Sequence, residues 1–150
     1  MTRAEQTEFP MGLDDMLCFA LYAASRAVTT RYRPLLDELG LTYPQYLVML
    51  VLWEHGTVPI KDIGAALQLD YGTLTPLIKR LESADLVKRE RLPEDERTVQ
   101  VSLTEAGDTM RRRAAHIPGV ITKAMGLTPE QFDDTKLLLR QLATNVSTDN

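Results

Sequence analysis

Apolar residues recur at three- and four-residue intervals along most of this chain, and the breaks in that rhythm mark its elements. Leu13, Met16, Leu17, Ala20, Leu21, Ala24, Ala27 and Val28 form one stripe, which predicts a helix from Leu13 to about Arg33. Asp14 and Asp15 fall in its first turn, where the helix dipole favours acids. Pro34 is expected to end it, because the residue before a proline avoids the helical region. Leu35 to Leu41 reads as a short amphipathic segment closed by Gly40. Thr42 is a cap for a helix from Pro44 to His55, with the proline early in its first turn. That helix carries Tyr46, Leu47, Val48, Leu50, Val51, Leu52 and Trp53, is apolar on nearly every side, and is predicted to form the central core. Gly56 stops it.

The stretch from Pro59 to Leu103 holds the most specific pattern. Ile60, Ile63, Gly64 and Leu67 make one helical face, and Leu69-Asp70-Tyr71-Gly72 breaks it as a turn. Leu74, Leu77, Ile78 and Leu81 make a second face, and the opposite side carries Thr73, Thr75, Lys79 and Arg80. Two closely joined helices with a glycine at the turn outline a helix-turn-helix. Leu86–Arg91 and Val99–Leu103 then alternate with period two, as strands do, around a polar connection, Leu92–Arg97. The whole is a winged helix, whose second helix would enter the major groove of DNA. Arg97, at the hairpin tip, would reach the minor groove. Pro76 calls for a late helix start or a bend, since inside a helix it costs about 3 kcal/mol.

Thr104 caps a long helix to about Met125, in which Pro118 should introduce a kink, and Gly126 closes it. Thr128-Pro129-Glu130-Gln131 starts a last helix to about Asn145. Residues 1–11 read as a loose tail, and the chain should fray after Val146. The fold class is therefore mainly α with a small β-hairpin wing: a single domain over 1–150, whose winged unit, 44–103, lies between helices at 13–41 and 104–146. Long helices at both ends suit a homodimer built from them.

Composition narrows the function. No apolar run reaches the roughly 18–20 residues of a membrane helix, and Met1–Pro10 is too polar for a signal peptide, so a cytoplasmic location is expected. The net charge of −4 is mildly unusual for a DNA binder, which means that positive groups must be placed locally. There is no phosphate loop, dinucleotide-binding glycine pattern or zinc-protease helix motif. His55 and His116 are isolated. No catalytic set, metal site or cofactor is expected.

One thiol remains. At about 100° per residue, Tyr22, Ser25, Thr29 and Tyr32 fall within roughly 40° of Cys18 around the helix axis. This stripe is roughly 120° from the centre of the apolar one. Small, aromatic and hydroxyl residues suit a contact with another subunit. A buried, inert cysteine is the other reading that spacing leaves open.

The runs LCFALYAASRAVTTRYRPLLDELGLTYPQYLVMLVLWEH, LDYGTLTPLIKRLE and EDERTVQVSLTEAG resemble the MarR family of winged-helix regulators, over about residues 13–121. More narrowly, they resemble its organic-hydroperoxide-resistance regulators. The resemblance implies a homodimeric repressor on a pseudo-palindromic operator, not an enzyme, released when an organic hydroperoxide oxidises Cys18. It implies that Tyr32 and Tyr43 of the partner subunit hydrogen-bond to Cys18, with Tyr22 on the same face. It implies DNA contacts from Gly72, Thr73, Thr75, Pro76, Lys79, Arg80 and Arg89, and from Arg97 oriented by Asp95. Lacking the second cysteine that some members carry, this chain resembles the one-cysteine type, in which a low-molecular-weight thiol traps the oxidised sulfur. The competing expectation is a repressor of the same family released by a small phenolic ligand, with Cys18 inert.

Overall fold

The computed structural model describes residues 9–148. It is a winged helix-turn-helix chain, mainly helical, with one small antiparallel sheet. The chain forms two compact units, residues 1–111 and 112–150.

In the first unit, a 3-10 turn at Leu13–Asp15 precedes α1, Leu17–Asp37. Two expectations change here. The helix starts at Leu17, so Asp14 and Asp15 lie outside its first turn. It also runs through Pro34. The proline removes one backbone donor close to the helix end, and the following turn is fixed by Leu36, Leu39 and Leu41, all buried. Gly40 takes a positive φ of 68°, and the Leu41 N–H donates to the Leu36 carbonyl (3.1 Å), which closes the helix.

Helix α2, Tyr43–His55, opens on a reciprocal cap: Gln45 N–H to Thr42 Oγ1 (3.3 Å) and Thr42 N–H to Gln45 Oε1 (2.9 Å). It is the core helix that its composition requires. Tyr46 is 1 % exposed, and Val48, Met49 and Leu52 are fully buried, although Leu50 reaches solvent. Large-to-small changes at such positions cost about 2–5 kcal/mol.

Helices α3, Ile60–Leu67, and α4, Tyr71–Ser83, form the helix-turn-helix. The turn does not rest on Gly72, which lies inside α4; Gln68 takes the left-handed conformation instead (φ 55°). Gly64 matters for another reason. A Cβ there would stand 3.0 Å from the Leu69 carbonyl and 3.5 Å from Leu74, so its missing side chain lets α3 lie against α4. Asp70 caps α4 through the Thr73 N–H (2.7 Å), and the helix starts at Tyr71, a little earlier than Pro76 suggests. Pro76 thus lies in the second turn, on an exposed face, where losing its N–H bond is tolerated.

The sheet has three strands where the residue pattern predicts two. Its order is β1 (Val58–Pro59), β3 (Asp95–Leu103), β2 (Val87–Leu92). Val58 pairs with Val101. Two residues ending in a proline show no period, so β1 is invisible without its partner. The hairpin tip is only Pro93-Glu94, which puts Arg97 within β3 rather than at the tip. The register jumps from Arg91↔Val99 to Leu92↔Asp95, leaving Glu96, Arg97 and Thr98 outside the ladder.

At the corner between α4 and β2, Asp85 has φ 59°. Thr104 Oγ1 donates to the Asp85 carbonyl (2.6 Å) and accepts from the Gly107 N–H (3.0 Å). The buried Trp53 indole donates to the Gly107 carbonyl (2.9 Å). A Cβ on Gly107 would overlap the Leu86 carbonyl at 2.0 Å. Core helix, wing root and α5 (Glu105–Ala114) therefore meet on one residue without a side chain.

The expected long helix from Thr104 to Met125 is two: α5 and, in the second unit, α6 (Ile117–Met125). Pro118 lacks the N–H that would bond to the Ala114 carbonyl, and the chain breaks there rather than kinking. Helix α7, Pro129–Ser147, opens on the capping box formed by Thr128 and Gln131. It runs slightly past the expected end, and the tail at residues 1–8 lies outside the described residues.

Candidate functional site

Cys18 is the second residue of α1 and is exposed, a free thiol. The residue pattern places it a turn and a half into its helix; the late start of α1 moves it into the first turn, among N–H groups that have no helical partner. Tyr22, one turn on, is exposed, with the Arg26 guanidinium 5.4 Å above its ring. Ser25 and Thr29 continue the stripe, and the Thr29 hydroxyl bonds to its own helix at the Ser25 carbonyl (2.9 Å).

Tyr32 ends the stripe in a different environment. Its ring lies 4.8 Å from that of Tyr43 and 5.7 Å from that of Tyr46, and Tyr46 meets Trp53 edge-on at 6.3 Å. Burial pushes the Tyr32 hydroxyl up to about 12, helped by Tyr43 and Tyr46. Burial also raises Tyr43 and Tyr46. All three phenols therefore stay protonated and able to donate at neutral pH. Cys18 and Tyr32 are fourteen positions apart on one continuous helix, about 21 Å along its axis. Within a single chain the sulfur does not reach the Tyr32–Tyr43 pair.

On α4, Gly72, Thr73, Pro76, Lys79 and Arg80 are exposed along one side. Thr75 is half-buried, its hydroxyl donating to the Tyr71 carbonyl (2.8 Å). Arg89 differs from the rest. Its guanidinium grips Glu82 with Nε–Oε2 at 3.2 Å and Nη2–Oε1 at 3.0 Å, and its backbone N–H donates to the same carboxylate (3.3 Å). These bonds hold the Glu82 carboxyl below, and the Arg89 guanidinium above, their ordinary ranges. Arg89 thus ties α4 to β2. Asp95 bonds to the backbone of Arg97 (N–H to Oδ1, 3.0 Å) and to the Thr98 hydroxyl (3.1 Å), which steadies the off-ladder segment. Two residues that the sequence pattern does not single out stand near Arg97: Lys61 from α3 and Tyr71 from α4. Lys61 lies on the helix not expected to read DNA, and Tyr71 was expected in the turn.

Among the described residues no three His, Cys, Asp or Glu side chains gather as a metal site, and no helix is long and apolar enough to cross a membrane.

A family model described as "Transcriptional regulator SarA/Rot" matches residues 30–112. The organic hydroperoxide resistance transcriptional regulator of Bacillus subtilis (strain 168) is 49% identical over 138 residues, covering 92% of each chain. The chain belongs to the MarR-type family of winged-helix transcriptional regulators. It is a regulator rather than an enzyme. Among solved structures, reduced AbfR bound to DNA is 36% identical with a TM-score of 0.75, covering 89% of this chain and 92% of that one. Overoxidized AbfR bound to DNA is 34% identical, also with a TM-score of 0.75, covering 89% of this chain and 94% of its own.

Proposed function

We propose that this regulator is a redox-responsive repressor. A reduced homodimer binds a pseudo-palindromic operator, and oxidation of Cys18 by an organic hydroperoxide releases it. The two units form one protomer, with segments 13–41 and 104–146 as the dimerising helices and 44–103 as the DNA-binding part. The observation that carries the reading is the separation on α1: an exposed thiol at one end, a phenol pair at the other, about 21 Å apart. Two antiparallel copies of such a helix bring each sulfur to the other chain's phenols. The 49% identity to a hydroperoxide-resistance regulator supports the same assignment.

The chemistry needs only the residues present. The Cys18 thiolate attacks the peroxide oxygen of ROOH; an S–O bond forms and the O–O bond breaks. Sulfur loses two electrons, the alkoxide leaves and is protonated to ROH, and Cys18 becomes a sulfenic acid. A low-molecular-weight thiol then forms a mixed disulfide and releases water. Either product breaks the phenol hydrogen bonds to a thiolate and places bulk where two subunits meet. The recognition helices α4 must sit roughly 34–36 Å apart to reach both half-sites, so a small rotation of the subunits removes affinity.

Gel shift with DNA from upstream of the protein's own gene, with and without cumene hydroperoxide, tests this. Wild type should dissociate on oxidation. Cys18→Ser should bind as well and stay bound. A Cys18→Ser protein that is still released by peroxide overturns the reading. Release of that variant by a phenolic compound alone would favour the ligand-controlled alternative.

A further inference from the structure

Lys61, Tyr71 and Arg97 belong to three different elements, α3, α4 and β3, yet they line one hollow of about 90 Å³. Most of the remaining lining is apolar, from Pro59, Ile60 and Val99. Neither the Lys61 ammonium nor the Arg97 guanidinium has an ion-pair partner among the described residues. The acid nearest to Arg97 on the chain, Asp95, spends both carboxylate oxygens on the Arg97 backbone N–H and the Thr98 hydroxyl. Arg89, by contrast, has its carboxylate already. Two cations held around one opening repel each other, and an anion between them removes that cost. The Tyr71 hydroxyl adds a neutral donor. Tyr71 is also the first residue of α4, so the hollow opens beside the start of the recognition helix.

We propose that Lys61, Tyr71 and Arg97 clamp a single backbone phosphate of the bound DNA, next to the groove that α4 enters. This rests on the DNA-binding reading above and adds two contacts to it. It also moves Arg97 from the minor-groove role that the family resemblance implies. Arg97 sits off the ladder in β3, facing the hollow, and is not at the hairpin tip. The clamp recognises a phosphate and not a base, so it contributes register and salt dependence but no sequence preference.

The test measures the affinity of the full-length protein as a function of KCl concentration on three duplexes of equal length. One is the DNA upstream of its own gene, one is a scrambled version, and one is A·T-rich. Lys61→Met and Arg97→Met should each flatten the slope of log affinity against log salt by about one. Each should weaken all three duplexes by the same factor, about three- to tenfold. Tyr71→Phe should weaken all three equally with the slope unchanged. Unchanged slopes for Lys61→Met overturn the clamp, as does a loss for Arg97→Met confined to the A·T-rich duplex. Inorganic phosphate titrated at constant ionic strength without DNA is the remaining arm. Saturable binding that Lys61→Met abolishes, with DNA slopes unchanged, would mark a site for a free anion and overturn the DNA assignment. Wild type that shows no preference for its upstream DNA would instead sink the regulator reading itself.

Discussion

Three phenols, Tyr32, Tyr43 and Tyr46, share one apolar corner, and their raised ionisation has a consequence for the fold. In the unfolded chain a tyrosine loses its proton near 10; in the fold Tyr32 keeps it to about 12. Between these values the unfolded state has released a proton that the folded state still holds. Rising pH therefore favours unfolding, and the stability present below pH 10 is lost as pH climbs towards 12. Denaturant midpoints measured across this window should fall, and Tyr32→Phe should flatten the fall. A midpoint independent of pH there would mean that the rings are solvated. The shared face of Cys18 and Tyr32 was legible in the sequence, because helical spacing alone fixes it. The pairing of Tyr32 with Tyr43 was not, because it joins two helices.

Among the elements, α2 is both core and strut. At one end it presents Tyr43 and Tyr46 to Tyr32; at the other its Trp53 holds the Gly107 carbonyl at the wing root. Trp53→Phe keeps a ring but leaves that buried carbonyl unbonded, and should cost about 1–3 kcal/mol by chemical denaturation. Gly107→Ala should be worse, since the added carbon meets backbone and not a yielding side chain. Equal stability of Gly107→Ala and wild type would show that the corner opens freely. Both helices of the DNA-reading pair, the hairpin and every cap were readable from periodicity and cap chemistry. What escaped was decided by tertiary context. Strand β1 exists only because β3 lies beside it. The helix at Pro34 survives close to its own end, whereas Pro118 breaks its helix outright. The turn chose Gln68 over the obvious glycine.

For the whole molecule, the telling feature is the apolar surface left uncovered. Leu17 on α1 is 65% exposed, and Leu137 and Leu138 on α7 are 61% and 64% exposed. Such stripes on the terminal helices suit association between copies. Leu138→Asp should turn a dimer into a monomer by sedimentation and reduce operator affinity about a hundredfold or more, as two half-sites cease to be bound together. A variant that stays dimeric at micromolar concentration would place the contact elsewhere. The small sheet sets a limit on how such copies can join. Its edge at β1 is two residues long and ends in a proline with no amide to offer, and its other edge, β2, is lined with Lys88, Arg89, Glu90 and Arg91. A stray strand finds almost nothing to add to on one side and a fence of charge on the other, so growth of the sheet from molecule to molecule is blocked at both borders.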